Sequence, residues 1–152
     1  MSQPVPSHGE PDTGHNDPAA VVREFLRALG DLDVDRVLTL VAPEILYHNK
    51  GLPPARGLAA FERQMRGLAR YATGFEAHVH NLAAEGPIVL TERTDVIEIH
   101  RFRSEFWVCG TFEVRDGRIV VWRDYFDFVN LSLASARGMA RAVFGKRSAS
   151  AR

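Results

Sequence analysis

In the segment IVLTERTDVIEI, apolar and polar residues alternate with a period of two, and two charges fall on the apolar side of that alternation. Val89, Thr91, Arg93, Asp95, Ile97 and Ile99 share one face of the predicted strand, and Glu92, Thr94 and Glu98 share the other. Two unlike charges on a core-facing surface need each other, because an unpaired buried charge is very costly. The same pattern returns in the last predicted strand, where Val120, Trp122, Asp124 and Phe126 share a face and set a carboxylate among large apolar groups. Phe106, Val108, Gly110, Phe112 and Val114 form the matching face of the strand between them.

How these faces meet depends on the turn Arg115-Asp116-Gly117-Arg118. A two-residue Asp-Gly loop would pair Asp124 with Cys109. A three-residue loop with a bulge would pair Asp124 with Val108 and Trp122 with Gly110. The second register sets apolar beside apolar and makes Gly110 the space for the indole, so it is the expected one. Asp95 and Asp124 then lie two strands apart, about 10 Å on a flat sheet. Arg93 reaching between them in a bent sheet predicts an Asp–Arg–Asp array at the bottom of an apolar cavity.

The rest of the chain supplies helices. Asp17 caps a first helix with Pro18 at its first position, and Val21, Val22, Phe25, Leu26 and Leu29 recur at helical spacing up to Gly30. A short helix is expected over 33–42, a strand over 44–49, and a third helix over 58–71, apolar at Phe61, Met65 and Leu68. Strands are expected over 75–83, 87–100, 103–114 and 118–127, and a last helix over 130–144. Helices first and strands later predict an α+β fold, with helices packed on one face of a mostly antiparallel sheet. Residues 1–16 and 146–152 lack periodicity and read as a disordered leader and a flexible tail around a single domain, 17–145.

Composition removes other classes. Nineteen Lys plus Arg balance 19 Asp plus Glu, which gives no electrostatic footprint for nucleic acid. No apolar run approaches a membrane span and no signal-peptide core is present, so a cytoplasmic protein is expected. The single cysteine, Cys109, excludes an internal disulfide and reads as an inert thiol on the face opposite Asp124. His78 and His80 lack a third ligand at recognisable spacing, so no metal site is expected. The outer sheet face carries Trp107, Ile119, Val121 and Tyr125, apolar enough to call for a second subunit.

Taken together, VLTERTDV, FWVCGTFEVRDGRIVVWRDYFD, and Tyr47-His48-Asn49 followed by LPPARG resemble the limonene-1,2-epoxide hydrolase family over residues 18–144. The resemblance implies the cone-shaped, nuclear-transport-factor-2-like fold, with a strongly curved mixed sheet and helices in its concave face. It further implies one-step opening of an epoxide to a diol by water, with no covalent intermediate and no cofactor. In that pattern Asp95 is the general acid and Asp124 the general base, Tyr47 and Asn49 hold the water, and Arg93 orients both acids. A homodimer also fits the family. Trp122, Phe126, Phe106, Val108, Ile97 and Ile99, with Met65 and Leu68, are expected to line a pocket for a terpenoid, lipid or sterol epoxide, with Phe128 and the last helix closing its mouth. The alternatives are a cone-fold isomerase, a polyketide or epoxide-opening cyclase, and a non-catalytic module binding a hydrophobic ligand.

Overall fold

The Asp17 carboxylate accepts from the Ala19 N–H at 3.1 Å, and with Pro18 at the first position it starts α1, Pro18–Gly30. These caps belong to a computed structural model that describes residues 17–126 and 128–144. The expected leader, 1–16, and tail, 146–152, lie outside the described residues, as does the side chain of Phe128. The buried stripe of α1, from Val21 to Leu29, faces the sheet, and Phe25 meets Phe112 and Trp122 edge to face at 6.0 and 5.0 Å. Full burial of such a side chain stabilises by about 1.5–3 kcal/mol, which ties the helix to the strands that carry the charged array.

Helix α2 is shorter than expected, Val34–Thr39, and strand β1 begins earlier, at Val41, and runs to Asn49. Tertiary pairing decides this boundary: Val41 pairs with Ile119, and the Leu40 carbonyl accepts from the Ile119 N–H at 2.9 Å. Helical apolar spacing in 34–41 gives way to a ladder that the last strand offers. A two-residue strand β2, Ala55–Arg56, which no pattern in the sequence announces, pairs with β1. Helix α3 spans Leu58–Tyr71 as expected. Strands β3 (Gly74–Glu85), β4 (Ile88–Ile99), β5 (Phe102–Arg115) and β6 (Arg118–Phe126) follow, and then helix α4, Phe128–Phe144.

The six strands form one sheet in the order β2-β1-β6-β5-β4-β3. Every neighbouring pair is antiparallel except β1 with β6, so the sheet is mixed. Helices α1 and α3 cover one face, and Phe25, Phe61, Phe112, Ile45 and Ile119 are fully buried between the layers.

The register of β5 and β6 differs from the expected one. Asp116 and Gly117 have φ of 50° and 71°, the left-handed pair of a two-residue hairpin turn, and Arg115 pairs with Arg118 across it. A bulge then leaves Val120 unpaired between the Val114–Ile119 and Glu113–Val121 pairs. The bulge restores apolar-to-apolar facing after a turn that by itself would have reversed it. Asp124 therefore stands beside Gly110 and Trp122 beside Phe112, not beside Val108 and Gly110. The same bulge turns Ile119 into the core, where it is fully buried, and removes it from the outer face.

Candidate active site

Arg93 is a fully buried cation at the centre of the sheet. Its Nε and Nη2 donate to the two oxygens of Asp95 at 2.8 and 3.2 Å, a forked contact between neighbours on one strand face. Nη2 also donates to Asp124 Oδ2 at 2.5 Å, and Nη1 to Thr91 Oγ1 at 3.1 Å. One guanidinium on β4 thus reaches across β5 to a carboxylate on β6. It passes over Gly110, where a Cβ would run into Arg93 Nη1 and lie 2.6 Å from Thr91 Oγ1 and 3.0 Å from Asp124 Oδ1. Gly110 makes room for the guanidinium, not for the indole as the sequence suggests. Thr91 and Gly110 are the two positioning residues that sequence reasoning missed. Thr91 was legible, two residues before Arg93 on the same face; the role of Gly110 depended on the register.

The other oxygen of Asp124, Oδ1, accepts from Trp122 Nε1 at 2.7 Å. Parallel pairing of β1 with β6 sets Tyr47 beside Trp122 and Asn49 beside Asp124. The Tyr47 ring lies 4.3 Å from that of Trp122, and its Oη accepts from Asn49 Nδ2 at 2.8 Å. All five sequence-predicted polar residues therefore meet in one place.

Burial governs the electrostatics. Asp95 is pushed up to about 6 by desolvation, which outweighs the opposing pull of Arg93. Desolvation pushes Asp124 up as well, against Arg93 and the Trp122 N–H, both of which favour its ionised form. Tyr47 is also raised by burial, so its phenol keeps its proton. Two carboxylates sharing one cation in a dry site bear a net negative charge when both ionise. One added proton makes the array neutral, so burial favours a proton shared by the pair, which titrates as a unit.

The array lies at one end of a cavity of about 380 Å3. Met65, Leu68, Ile97, Ile99, Phe106, Val108, Trp122 and Phe126 line it, together with Tyr47, Asn49, Asp95 and Asp124. Arg93 stands behind this wall. Leu29, Gln64, Phe75, Phe102, Ser104 and Ser135 complete the lining and are not expected there from the sequence. Ser135 brings α4 to the cavity, and Gly138 of the same helix packs against the Arg103 backbone and the Phe102 ring. Cys109 pairs with Tyr125 at the outer face, half-buried. His78 and His80 are exposed, beside Glu76 and Thr94. Among the described residues no helix is long and apolar enough to cross a membrane.

The model of the limonene-1,2-epoxide hydrolase catalytic domain matches residues 16–137. Epoxide hydrolase EphG of Mycobacterium tuberculosis is 42% identical over 125 residues, 80% of this chain and 81% of that protein. The solved structure of an M. tuberculosis LEH-like epoxide hydrolase superposes with a TM-score of 0.78 at 40% identity, covering 83% of this chain and 94% of that one. A SnoaL-like polyketide cyclase from Shewanella putrefaciens, described as putative, shares the fold at a TM-score of 0.72 and 10% identity, over 79% of this chain and 86% of the other. Fold alone would not separate these chemistries. With the family's model spanning most of its length, the chain belongs to the limonene-1,2-epoxide hydrolase family and is an epoxide hydrolase of that type.

Proposed function

We propose that the protein opens a hydrophobic epoxide to a vicinal diol in one step, by direct attack of water with no ester to the protein. The observation that carries this reading is the single guanidinium tying Asp95 and Asp124 together at the end of an apolar cavity, with Tyr47 and Asn49 beside Asp124. Asp124, which accepts from the Trp122 N–H as well as from Arg93 and stands beside Asn49, acts as the general base on water. Asp95 faces the cavity, carries the shared proton and delivers it to the epoxide oxygen. Because Asn49 donates to the Tyr47 oxygen, the phenol's own O–H and the amide oxygen serve to hold the water. Arg93 fixes both acids and, always charged, shields the negative charge that passes between them.

The cavity, about 380 Å3, is near the small end of the usual ~300–1,000 Å3 for ligand sites. A terpenoid or short-chain epoxide fits it better than a sterol, which would have to extend through the mouth. The reaction is tested by incubating the protein with a panel of hydrophobic epoxides in oxygen-18 water. Diol is expected with the label incorporated in the first turnover and none in the protein. Label retained on Asp95 or Asp124 would replace this mechanism with a covalent one.

Activity needs one proton on the pair. kcat/KM is therefore expected to fall about tenfold per pH unit above the pair's upper apparent pKa, with about 6 at Asp95 as the guide, and to fall again in acid as the base protonates. Stability follows the same proton. The folded pKa of Asp95 lies above its ordinary value, so its contribution is complete below pH 3.8 and is lost as the pH rises to about 6. Melting curves of the native protein and Asp95→Asn across that window should diverge in this direction.

A second copy of the chain covers the outer sheet face, where Leu90, Trp107 and Tyr125 are 52%, 49% and 42% exposed. Sedimentation should give a homodimer for the native protein and a monomer for Trp107→Glu. A native monomer at micromolar concentration would remove this assignment. The protein is assigned to the cytoplasm on its single cysteine, the pattern of a protein that does not rely on disulfides.

A further inference from the structure

We propose that Ser104 binds a second oxygen on the substrate, so that the preferred epoxide also carries a hydroxyl, carbonyl or ether group. The inference rests on the epoxide-opening reading of the same cavity and narrows its substrate class. Ser104 is 3% exposed and lines the cavity wall. Its hydroxyl is the buried side-chain polar atom that finds no hydrogen-bond partner among the described residues. Buried polar groups are almost always paired, so an unpaired hydroxyl on a residue that lines a cavity, one side-chain torsion from it, points to a partner that enters that cavity. Its strand neighbours do not call for a hydroxyl: Ser104 sits opposite Ile97 in the ladder and between Phe102 and Phe106 on the same face of its own strand.

Register sets the spacing. Asp95 pairs with Phe106, and Ser104 lies two residues further along β5 on the same face. Asp95 and Ser104 are thus diagonal neighbours on adjacent strands, roughly 7–8 Å apart, a span that a single carbocycle with a substituent can bridge. A hydroxyl both donates and accepts, so Ser104 can take an alcohol or a carbonyl. Gln64 and Ser135, the other polar side chains of the lining away from the acids, are less buried and stand on helices, not on the rigid sheet. An oxygenated substrate anchored at Ser104 would be held in one orientation, which decides the epoxide carbon that meets the water.

The test uses a matched pair of probes, the ring epoxides of p-menthene and α-terpineol, which differ by one remote hydroxyl. In the native protein kcat/KM should be higher for the α-terpineol epoxide, and Ser104→Ala should lower the ratio of the two values by about 5- to 10-fold. Equilibrium binding of the unreactive parents, α-terpineol and p-menthene, should show the same fall in ratio without any turnover. The Tm of Ser104→Ala should equal or exceed that of the native protein, since no internal hydrogen bond is lost. A ratio that does not change would overturn the proposal. A lowered Tm would do so too, by placing the hydroxyl's partner within the fold. Absence of diol from both epoxides would instead end the epoxide-opening reading, and the binding ratio would still decide Ser104.

Discussion

Asp124→Asn and Asp95→Asn are each expected to lower kcat by about 10^3 or more while the protein remains folded. The amide keeps the size of the carboxyl, and in either variant Arg93 retains one anionic partner. Removing one negative charge from a buried array that has two anions for one cation does not strain its electrostatics. What is lost is proton transfer, worth roughly 10^2–10^4 for each positioned group. An amide in place of Asp124 could still accept from Trp122 but could not take a proton from water. An amide in place of Asp95 could donate a hydrogen bond to the epoxide oxygen but could not protonate it. Because the two groups act in one step, the double variant should be hardly slower than either single one. Diol formation, with circular dichroism and Tm as the control on folding, provides the check. Turnover within tenfold of native in either single variant would remove the acid/base assignment.

Arg93→Met is expected to be the most destabilising change in the site. It leaves two carboxyls in a dry interior with no cation, and breaking a buried pair in this way costs about 3–5 kcal/mol. For a domain of this length that is a fall in Tm of roughly 6–20 °C. The sign of its pH dependence is distinctive. Protonated carboxyls need no cation, so the gap between variant and native should narrow as the pH falls and widen toward neutrality. Arg93→Lys should recover part of the stability and little of the activity. A single ammonium supplies charge without the fork that holds Asp95 by two N–H groups and Asp124 by a third contact. A gap that does not vary with pH would mean that lost packing, not charge, sets the cost.

The contents of the candidate site are largely legible in the sequence. Arg93 and Asp95 stand out as charges on the apolar face of β4, and Asp124 as a carboxylate among aromatics on β6. Tyr47 and Asn49 needed the family resemblance, because Tyr-x-Asn before a Gly/Pro turn otherwise just ends a strand. What places them is the parallel ladder to β6, which sets Asn49 beside Asp124. Parallel pairing joins strands distant in sequence, and no local pattern announces it.

Periodicity determines which residues share a face within one element, because side chains alternate along a strand whatever its neighbours do. Periodicity therefore predicted the α+β class, the span of α3 and the core-facing charges from the sequence alone, and the family resemblance added the lining of the cavity. Only the tertiary structure decided the boundary between α2 and β1, the bulge at Val120, the burial of Ile119 and the crossing of Arg93 over Gly110. Each of these depends on which backbone groups of distant segments bond to one another. A bulge costs one unpaired residue and changes no composition, so it leaves no trace in the alternation while shifting every partner beyond it. Ser104 belongs to the same class. A serine in a strand is ordinary in sequence, and only its burial beside a cavity, without a partner among the described residues, gives it meaning.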